Sequence, residues 1–208
     1  MGKVYIIGTG PGSKDYLLPL AKKIIKKADV VIGAPRLLSF SPKGKQTISL
    51  KGNYSQILDY IKKSKNNKNI AVLVSGSPGV FSFSRRITSA LKPSEYEVIP
   101  GISALQLACA RIGEAWDDLC IISLHAKNLQ GLIKKITANK KVMIFCDNKN
   151  TPSYVANYLV KKKESKLKVT VFGNLSMQNE EIIESDVASL ANTKKRWEGL
   201  WLLLIEKK

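Results

Sequence analysis

Three short apolar runs in the first half of the sequence each end abruptly in a loop of glycine, proline and serine. The run at residues 70–74 contains no polar residue, which is typical of a strand covered on both faces of a parallel sheet. Because α/β proteins bind ligands where the carboxyl ends of parallel strands meet, we expect the loops to lie together and form a site. The loops are Gly8-Thr-Gly-Pro-Gly12, Ser75-Gly-Ser-Pro-Gly79 and Pro100-Gly-Ile-Ser-Ala104.

The first loop does not complete either of the well-known nucleotide-binding patterns. A dinucleotide fingerprint needs a third glycine where Ser13 stands, and it needs an acidic residue after the second predicted strand, residues 30–32. A Walker-type loop needs a hydroxyl residue where Gln46 follows Lys45. The sequence therefore disfavours nicotinamide and nucleoside triphosphate binding, although a strand followed by a glycine turn is also compatible with a purely structural role.

Helical periodicity alternates with the apolar runs in the first half of the chain, which predicts βαβ units and a parallel sheet, and the second half is again predicted to be α/β. Residues 112–118 interrupt the pattern, so we expect two α/β domains, 1–113 and 114–208. Residues 39–53 are polar and turn-rich, and the pattern near residues 177–189 is ambiguous. The predicted helices are residues 17–27, a short one at 36–38, 54–63, 83–91, 105–111, 129–138 and 153–162, and the later strands are 119–124, 141–146, 167–172 and 200–205.

The chain is strongly basic, with 34 Lys and Arg against 16 Asp and Glu in 208 residues, a formal net charge of +18. Such a field attracts nucleic acid, an anionic membrane surface or a small polycarboxylate. The lysines are scattered over nearly every predicted helix and do not interleave with aromatic residues, so we expect no nucleic-acid partner. A lysine-rich solvated surface without any partner is the simpler alternative.

Localisation and metal binding are predicted from what the sequence lacks. No apolar run approaches the roughly 20 residues that a membrane span needs, and no signal peptide is recognisable, so we expect a cytoplasmic protein without a membrane partner. Cys109, Cys120 and Cys146 show no C-x-x-C spacing. We interpret them as reduced core residues and predict no metal site.

The three loops resemble, in order, the loops of the tetrapyrrole methylase family. The longer stretch from Pro100 to Gly113, then Trp116-Asp-Asp-Leu119 and Ser123-Leu-His125, resembles the branch that methylates carbon 5 of precorrin-6Y or cobalt-precorrin-7 in cobalamin biosynthesis. Asn174-Leu175 and the later Glu180-Glu-Ile182 are similar to another element of that branch. The resemblance covers essentially the whole chain.

This resemblance implies an S-adenosylmethionine-dependent C-methyltransferase whose two α/β domains hold the cofactor in the cleft between them. It implies a polycarboxylate tetrapyrrole as acceptor, which would give the +18 charge a reason. For the glycines plain turn geometry is the alternative, for Ser103 a helix cap, and for Cys146 simple burial. The cofactor contacts implied by the resemblance are Gly10, Pro11, Ser77, Val80, Ser103, Ala104, Cys146, Gly173 and Gly199.

Two departures from the family pattern concern the site. Ser77 stands where the family usually has aspartate, so the loop keeps a hydrogen-bonding hydroxyl but loses a charge. His125 is followed by Ala126-Lys127 where the branch commonly has Gly-Arg, which leaves a cation for a substrate carboxylate without the arginine fork. His125, the only histidine, is a candidate proton acceptor or a loop residue without a catalytic role.

Two other functions stay open at this stage. A diphthine synthase-like methylase would share the fold, but that branch is usually longer and lacks the Trp-Asp-Asp and Ser-x-His motifs. A non-enzymatic RNA-binding protein would use the basic surface. The resemblance also implies a separate carbon 15 methyltransferase/decarboxylase as functional partner and a homodimer, and it leaves open whether the macrocycle already holds cobalt.

Overall fold

The computed structural model describes residues 2–125 and 128–207, which form two compact units that divide between Ser103 and Ala104. In the first unit, a five-stranded sheet has the order β3-β2-β4-β1-β5, and all its neighbouring strands pair in parallel. The predicted parallel sheet is therefore confirmed. Its strands are β1 (Val4–Gly8), β2 (Val30–Gly33), β3 (Gln46–Ser49), β4 (Ile70–Val74) and β5 (Tyr96–Ile99).

Helices cover both faces of the first sheet, which explains why its central strands are apolar throughout. Ile6 and Val72 face one core with helix residues Ile57 and Ile87, whereas Ile7 and Leu73 face the other with Ala21 and Ile25. The helices are α1 (Pro19–Lys27), α2 (Tyr54–Ser64) and α3 (Ser84–Ala90), with short 3-10 segments at Lys14–Tyr16, Pro35–Phe40 and Pro93–Glu95.

The second unit has a mixed sheet of order β6-β7-β10-β8-β9, in which only β6 and β7 pair in parallel. Because β10 is antiparallel to both its neighbours, β6, β7 and β8 end at the same edge at which β10 begins. The strands are β6 (Cys120–Ser123), β7 (Lys141–Phe145), β8 (Lys168–Gly173), β9 (Glu181–Asp186) and β10 (Trp201–Glu206). The helices are α4 (Ala104–Ile112), α5 (Leu132–Ala138), α6 (Pro152–Lys161) and α7 (Val187–Ala191).

Several predicted elements begin or end at other residues in the structure. The turn-rich segment 39–53 contains β3, and the ambiguous segment 177–189 contains β9 and the start of α7, whose N-cap Asp186 accepts a hydrogen bond from the Ser189 amide at 2.8 Å. Helix α5 begins at Leu132 rather than at residue 129, since Gly131 before it takes a φ of 78° that a helix does not allow.

The predicted domain boundary, after Gly113, follows α4. The contacts instead divide the chain directly before α4, between Ser103 and Ala104. Helix α4 contacts β10 and so belongs to the second unit. Gly113 has a φ of 69° directly after this helix, so the break in the sequence pattern marks the end of α4. Within residues 2–125 and 128–207, no helix is both long and apolar enough to cross a membrane.

Candidate functional site

The three glycine loops of the first unit lie side by side, as predicted. They follow β1, β4 and β5, which are adjacent and parallel, so all three leave the same edge of the sheet. A Cβ added at Gly8 would lie 2.6 Å from the carbonyl oxygen of Gly76 and 2.7 Å from the amide nitrogen of Gly101. A Cβ at Gly101 would collide with the same Gly76 oxygen. These glycines therefore let three loop backbones pack directly on one another.

Hydrogen bonds join the first loop to the second. The Thr9 amide and hydroxyl both donate to the Val74 carbonyl, at 2.9 and 3.1 Å. Gly10 and Gly76 exchange two backbone bonds, of 2.8 and 3.3 Å, in an isolated antiparallel bridge. Gly10 makes this bridge with a φ of 80°, a conformation that favours glycine. The two loops are thus fixed to each other before any ligand binds.

The sequence-predicted site residues of the first unit differ in how accessible they are. Gly10 and Pro11 are buried, whereas Ser77 and Val80 are partly exposed and close a turn in which the Val80 amide donates to the Ser77 carbonyl at 3.0 Å. Among the described residues, the Ser77 hydroxyl has no protein hydrogen-bond partner. A Cβ added at Gly79 would meet nothing within 4 Å. The second loop therefore presents a hydroxyl and an open backbone to solvent.

Ser103 and Ala104 stand where the third loop meets the following helix. Ser103 is buried and is the last residue of the first unit, and Ala104, partly exposed, begins α4 in the second. The predicted helix cap and the predicted cofactor contact at Ser103 both stay predictions.

Sequence analysis missed Arg36, which follows β2 at the same sheet edge. Its guanidinium donates a hydrogen bond to the Ser75 hydroxyl, at the start of the second loop. Although the residue as a whole is exposed, the partial withdrawal of its charged group from water lowers the pKa of Arg36. The contact joins residues from two different strand ends, so no local pattern in the sequence predicts it.

An aromatic and arginine cluster, also missed, lies after β3 and β4. The Arg86 guanidinium carbon is 4.7 Å from the centroid of the Tyr54 ring, and the Tyr54 and Phe83 rings are 5.2 Å apart. Tyr54 is the first residue of α2, and Phe83 directly precedes α3. The cluster is therefore also at the carboxyl edge of the first sheet.

In the second unit, hydrogen bonds join the strand ends at the edge where β7 and β8 end and β10 begins. The Cys146 amide donates to the Trp201 carbonyl at 3.0 Å, and the Asn174 amide donates to the Leu200 carbonyl at 2.9 Å. The Asn174 side-chain oxygen accepts in return from the Leu200 amide at 3.1 Å. Asn174 is buried and has a φ of 47°, so β8 ends in a strained turn that its own side chain stabilises.

Gly173 and Gly199 both have packing reasons to be glycine. A Cβ at Gly173 would collide with the Trp201 ring, and a Cβ at Gly199 would collide with the Asn174 side-chain oxygen. Gly199 also has a φ of 95°. Turn geometry and close packing therefore account for both glycines in this unit, and a cofactor contact at either stays a prediction.

Cys146 is buried directly after β7. Burial raises the pKa of its thiol, so the side chain stays neutral and unreactive. The loop that follows is held by Asp147, whose carboxylate accepts from the Asn150 amide at 2.6 Å. Buried Asn150 in turn donates its side-chain NH₂ to the Leu124 carbonyl at 3.0 Å, which ties the ends of β6 and β7 together.

His125 follows β6, at the same edge of the second sheet. Its Nδ1 is 3.3 Å from the Ser123 hydroxyl, and its backbone amide donates to the same hydroxyl at 3.4 Å. The residue is exposed, so its ring is accessible to a ligand. Lys127, the predicted cation for a substrate carboxylate, lies outside the described residues.

Arg111 holds the loop between β8 and β9. Its guanidinium donates to both carboxylate oxygens of Glu180, at 2.6 and 3.2 Å, and Glu180 also accepts from the Ser176 amide at 2.5 Å. The hydrogen bond from Arg111, together with the one from Ser176, lowers the pKa of Glu180. The pair therefore links α4 to the loop that continues from Asn174.

Comparison with known proteins gives relatives that match nearly the whole chain. The sequence model of the tetrapyrrole (corrin/porphyrin) methylases matches residues 3–191. The chain is 34% identical to a probable cobalt-precorrin-7 C(5)-methyltransferase of Methanocaldococcus jannaschii, over 91% of this chain and 92% of that protein. It is 28% identical to the cobalt-precorrin-7 C(5)-methyltransferase of Salmonella typhimurium, over 85% of this chain and 87% of that protein.

Solved structures show the same fold. The uroporphyrin-III C-methyl transferase of Thermus thermophilus complexed with S-adenosylhomocysteine superposes with a TM-score of 0.80, over 99% of this chain and 98% of that one. The two sequences are 18% identical, so this likeness concerns the fold. Both α/β units described above are included in the match.

Proposed function

Because the chain belongs to the tetrapyrrole (corrin/porphyrin) methylase family, we propose that it is an S-adenosylmethionine-dependent methyltransferase acting on carbon 5 of cobalt-precorrin-7. The observation that carries this proposal is the 34% identity to a probable cobalt-precorrin-7 C(5)-methyltransferase along almost the full length of both chains. The same identity favours a corrin precursor over the diphthine synthase-like alternative, and family membership favours an enzyme over a non-enzymatic RNA-binding protein.

The first unit has features that suit the cofactor. The Ser77 hydroxyl is unpaired among the described residues, and the space beside Gly79 is open. Small polar groups on a rigid loop suit the ribose and amino-acid parts of the cofactor. We propose that the cofactor contacts Gly10, Pro11, Ser77, Val80, Ser103 and Ala104, and that Cys146, Gly173 and Gly199 contribute from the edge of the second unit.

The chemistry asks for positioning more than for strong acids or bases. S-adenosylmethionine supplies an electrophilic methyl group on a sulfonium ion, and an electron-rich ring carbon of a reduced tetrapyrrole can attack it directly. The interlocked loops after β1, β4 and β5 suit this task, because loops that are already held together lose little further conformational entropy when they position reactants. The neutral Cys146 thiol is unsuited to act as a nucleophile or a general base.

His125 is proposed to accept the proton that leaves the methylated ring. The His125→Ala variant should turn over the tetrapyrrole about 10²-fold more slowly, the lower end of what a positioned base contributes. Its affinity for S-adenosylhomocysteine should not change, which calorimetry would check. Ser123→Ala is the matched control, because it removes the hydroxyl near Nδ1 and keeps the histidine. Unchanged turnover in His125→Ala would assign this histidine no catalytic role.

Calorimetric titration with S-adenosylhomocysteine, with NADH and GTP as controls, tests the cofactor class. We expect micromolar binding of S-adenosylhomocysteine alone. Methyl transfer from labelled S-adenosylmethionine to cobalt-precorrin-7, compared with precorrin-6Y, then tests the acceptor and the need for cobalt. If the protein bound neither S-adenosylhomocysteine nor a tetrapyrrole, that result would contradict the proposal.

We also propose that the carbon 15 methylation and decarboxylation belong to a separate protein. Relatives named for carbon 5 alone match this chain along almost their full length. The homodimer and the cytoplasmic location stay predictions, and sedimentation velocity would test the first of them.

A further inference from the structure

The arginines of this chain are distributed differently from its lysines. Only five of the 34 basic residues are arginine, and three of these five are Arg36, Arg85 and Arg86. All three lie in segments that follow β2 and β4, at the carboxyl edge of the first sheet. Arginine binds carboxylates with a planar fork of donors, which lysine lacks. The edge that carries the glycine loops therefore also carries most of the guanidinium groups.

None of these three arginines forms an ion pair with a described residue. The ion pairs of the described chain are made by Arg111 and by lysines at other places. Arg36 and Arg86 are nevertheless held in place, one by the Ser75 hydroxyl and the other by the face of the Tyr54 ring. Within residues 2–125 and 128–207, no hydrogen bond, ion pair or ring contact holds the side chain of Arg85. Arg36 and Arg86 are thus ordered cations without a protein counter-ion among the described residues.

Of these two arginines, Arg36 has the stronger support as an anion-binding residue. A guanidinium has five N–H donors, and the bond to Ser75 uses one of them. The group is partly withdrawn from water, which lowers its pKa and makes an unpaired charge costly there. An anion that accepts from the remaining donors would remove that cost. Ser75 is also the residue that begins the second glycine loop, so the anion would lie next to the proposed cofactor residues.

Arg86 offers a second, different contact. The Arg86 guanidinium carbon lies over the Tyr54 ring, 4.7 Å from its centroid, and no hydrogen bond to a described residue uses the N–H donors of this group. Tyr54 as a whole is 37% exposed, so an aromatic residue is accessible beside this cation. A ligand with a flat apolar body and carboxylates on its rim matches this combination.

We propose that Arg36 and Arg86 bind two carboxylate side chains of the tetrapyrrole acceptor and so determine the specificity of this enzyme for a polycarboxylate substrate. This inference rests on the proposed function. Arg36 binds one carboxylate through its fork, and Arg86 binds another while its contact with the Tyr54 ring holds the guanidinium in place. Both are specificity residues, because the carboxylates they contact take no part in the methyl transfer.

The test measures binding of uroporphyrin, a tetrapyrrole with a carboxylate on every side chain, and of its uncharged carboxamide derivative to the cofactor-saturated protein. Arg36→Gln should weaken uroporphyrin binding at least tenfold, as expected for a lost charge-assisted hydrogen bond. Arg36→Lys should lose less, and Arg86→Gln should lose affinity as well. The carboxamide should bind wild type and both glutamine variants equally.

Lys26→Gln is the matched control, since it removes the same charge from an exposed position in the last turn of α1. Its uroporphyrin affinity should fall less than twofold. Calorimetry with S-adenosylhomocysteine should give the same affinity for every variant, which also reports that each is folded.

Three outcomes would overturn the inference, and they are distinguishable. If Arg36→Gln and Arg86→Gln bind uroporphyrin as Lys26→Gln does, the arginines do not recognise carboxylates although the proposed function stands. If Arg36→Gln weakens S-adenosylhomocysteine instead, this residue binds the carboxylate of the cofactor. If wild type binds neither S-adenosylhomocysteine nor uroporphyrin, the proposed function itself fails, and the inference fails with it.

Discussion

At the scale of single residues, the glycines of the sheet edge do two different jobs. Gly8 and Gly101 are required for packing, because a Cβ at either would press against loop backbone that has no room to move. Gly79 has open space beside it and belongs to the same loop as Ser77. The first kind of glycine holds the loops together, and the second kind leaves room for a ligand.

This difference predicts opposite results for the same substitution. Gly101→Ala should lower the free energy of unfolding by about 1–3 kcal/mol or more, the cost of forcing an atom into filled space. Gly79→Ala should change it by less than about 1 kcal/mol, since the added methyl group meets no protein atom. Urea unfolding of both variants would measure the two effects. Equal losses would contradict the assignment of Gly101 to loop packing.

Loops marked by glycine and proline could be predicted from the sequence, whereas contacts between residues far apart in the chain could not. The glycine and proline pattern alone indicated three loops at one sheet edge, because these residues restrict or release the backbone locally. The roles of Arg36 and Asn174 depend on partners at Ser75 and Leu200, which only the folded chain brings near. No spacing in the sequence encodes those contacts.

At the scale of elements, every central strand was predicted, whereas two of the four edge strands, β3 and β9, were not. Strand β4 matches its predicted bounds because all five of its residues are buried and apolar. Strands β3 and β9 lie at the edges of their sheets, and each exposes polar residues, so neither has a continuous apolar run. Their pairing with β2 and β8 supplies the stability that local sequence does not.

The link between α4 and the loop after β8 predicts a dependence of stability on pH. Arg111 and the Ser176 amide favour the charged form of Glu180, so its folded pKa lies below the ordinary 4.5. This contribution is fully present above the unfolded pKa and is lost as the pH falls through the folded pKa. Its size should be about 1 kcal/mol or less, because water partly screens the pair.

The measurement compares wild type with Glu180→Gln by urea unfolding between pH 7 and pH 3. The variant should be less stable at pH 7, and the difference should shrink as the pH falls below about 4.5, the ordinary value for this carboxyl group. Glu184→Gln is the matched control, since the ion pair that Glu184 forms with Lys168 is long, at 3.7 Å, and exposed. A constant difference at every pH would exclude the charge of Glu180 as the cause.

At the scale of the whole molecule, charge and fold serve the same proposed substrate in different ways. The +18 charge acts at long range on any polyanion, and the scattered lysines supply most of it. The arginines at the sheet edge act at short range, through contacts of defined geometry with individual carboxylates. Composition predicted the first contribution, and the second became visible only once the sheet had brought the ends of β2 and β4 together.

These two contributions respond differently to salt. Raising the ionic strength from about 0.05 to 0.5 M shortens the screening length severalfold, so uroporphyrin affinity should fall by roughly tenfold. The affinity for S-adenosylhomocysteine, which has no net charge, should stay nearly constant. Arg36→Gln should bind uroporphyrin more weakly at every salt concentration with nearly the same slope as wild type, because it removes one fixed contact and only one of 34 basic residues. An affinity of wild type that does not change with salt would show that the long-range field does not attract the acceptor, and recognition would then rest on the fixed contacts alone.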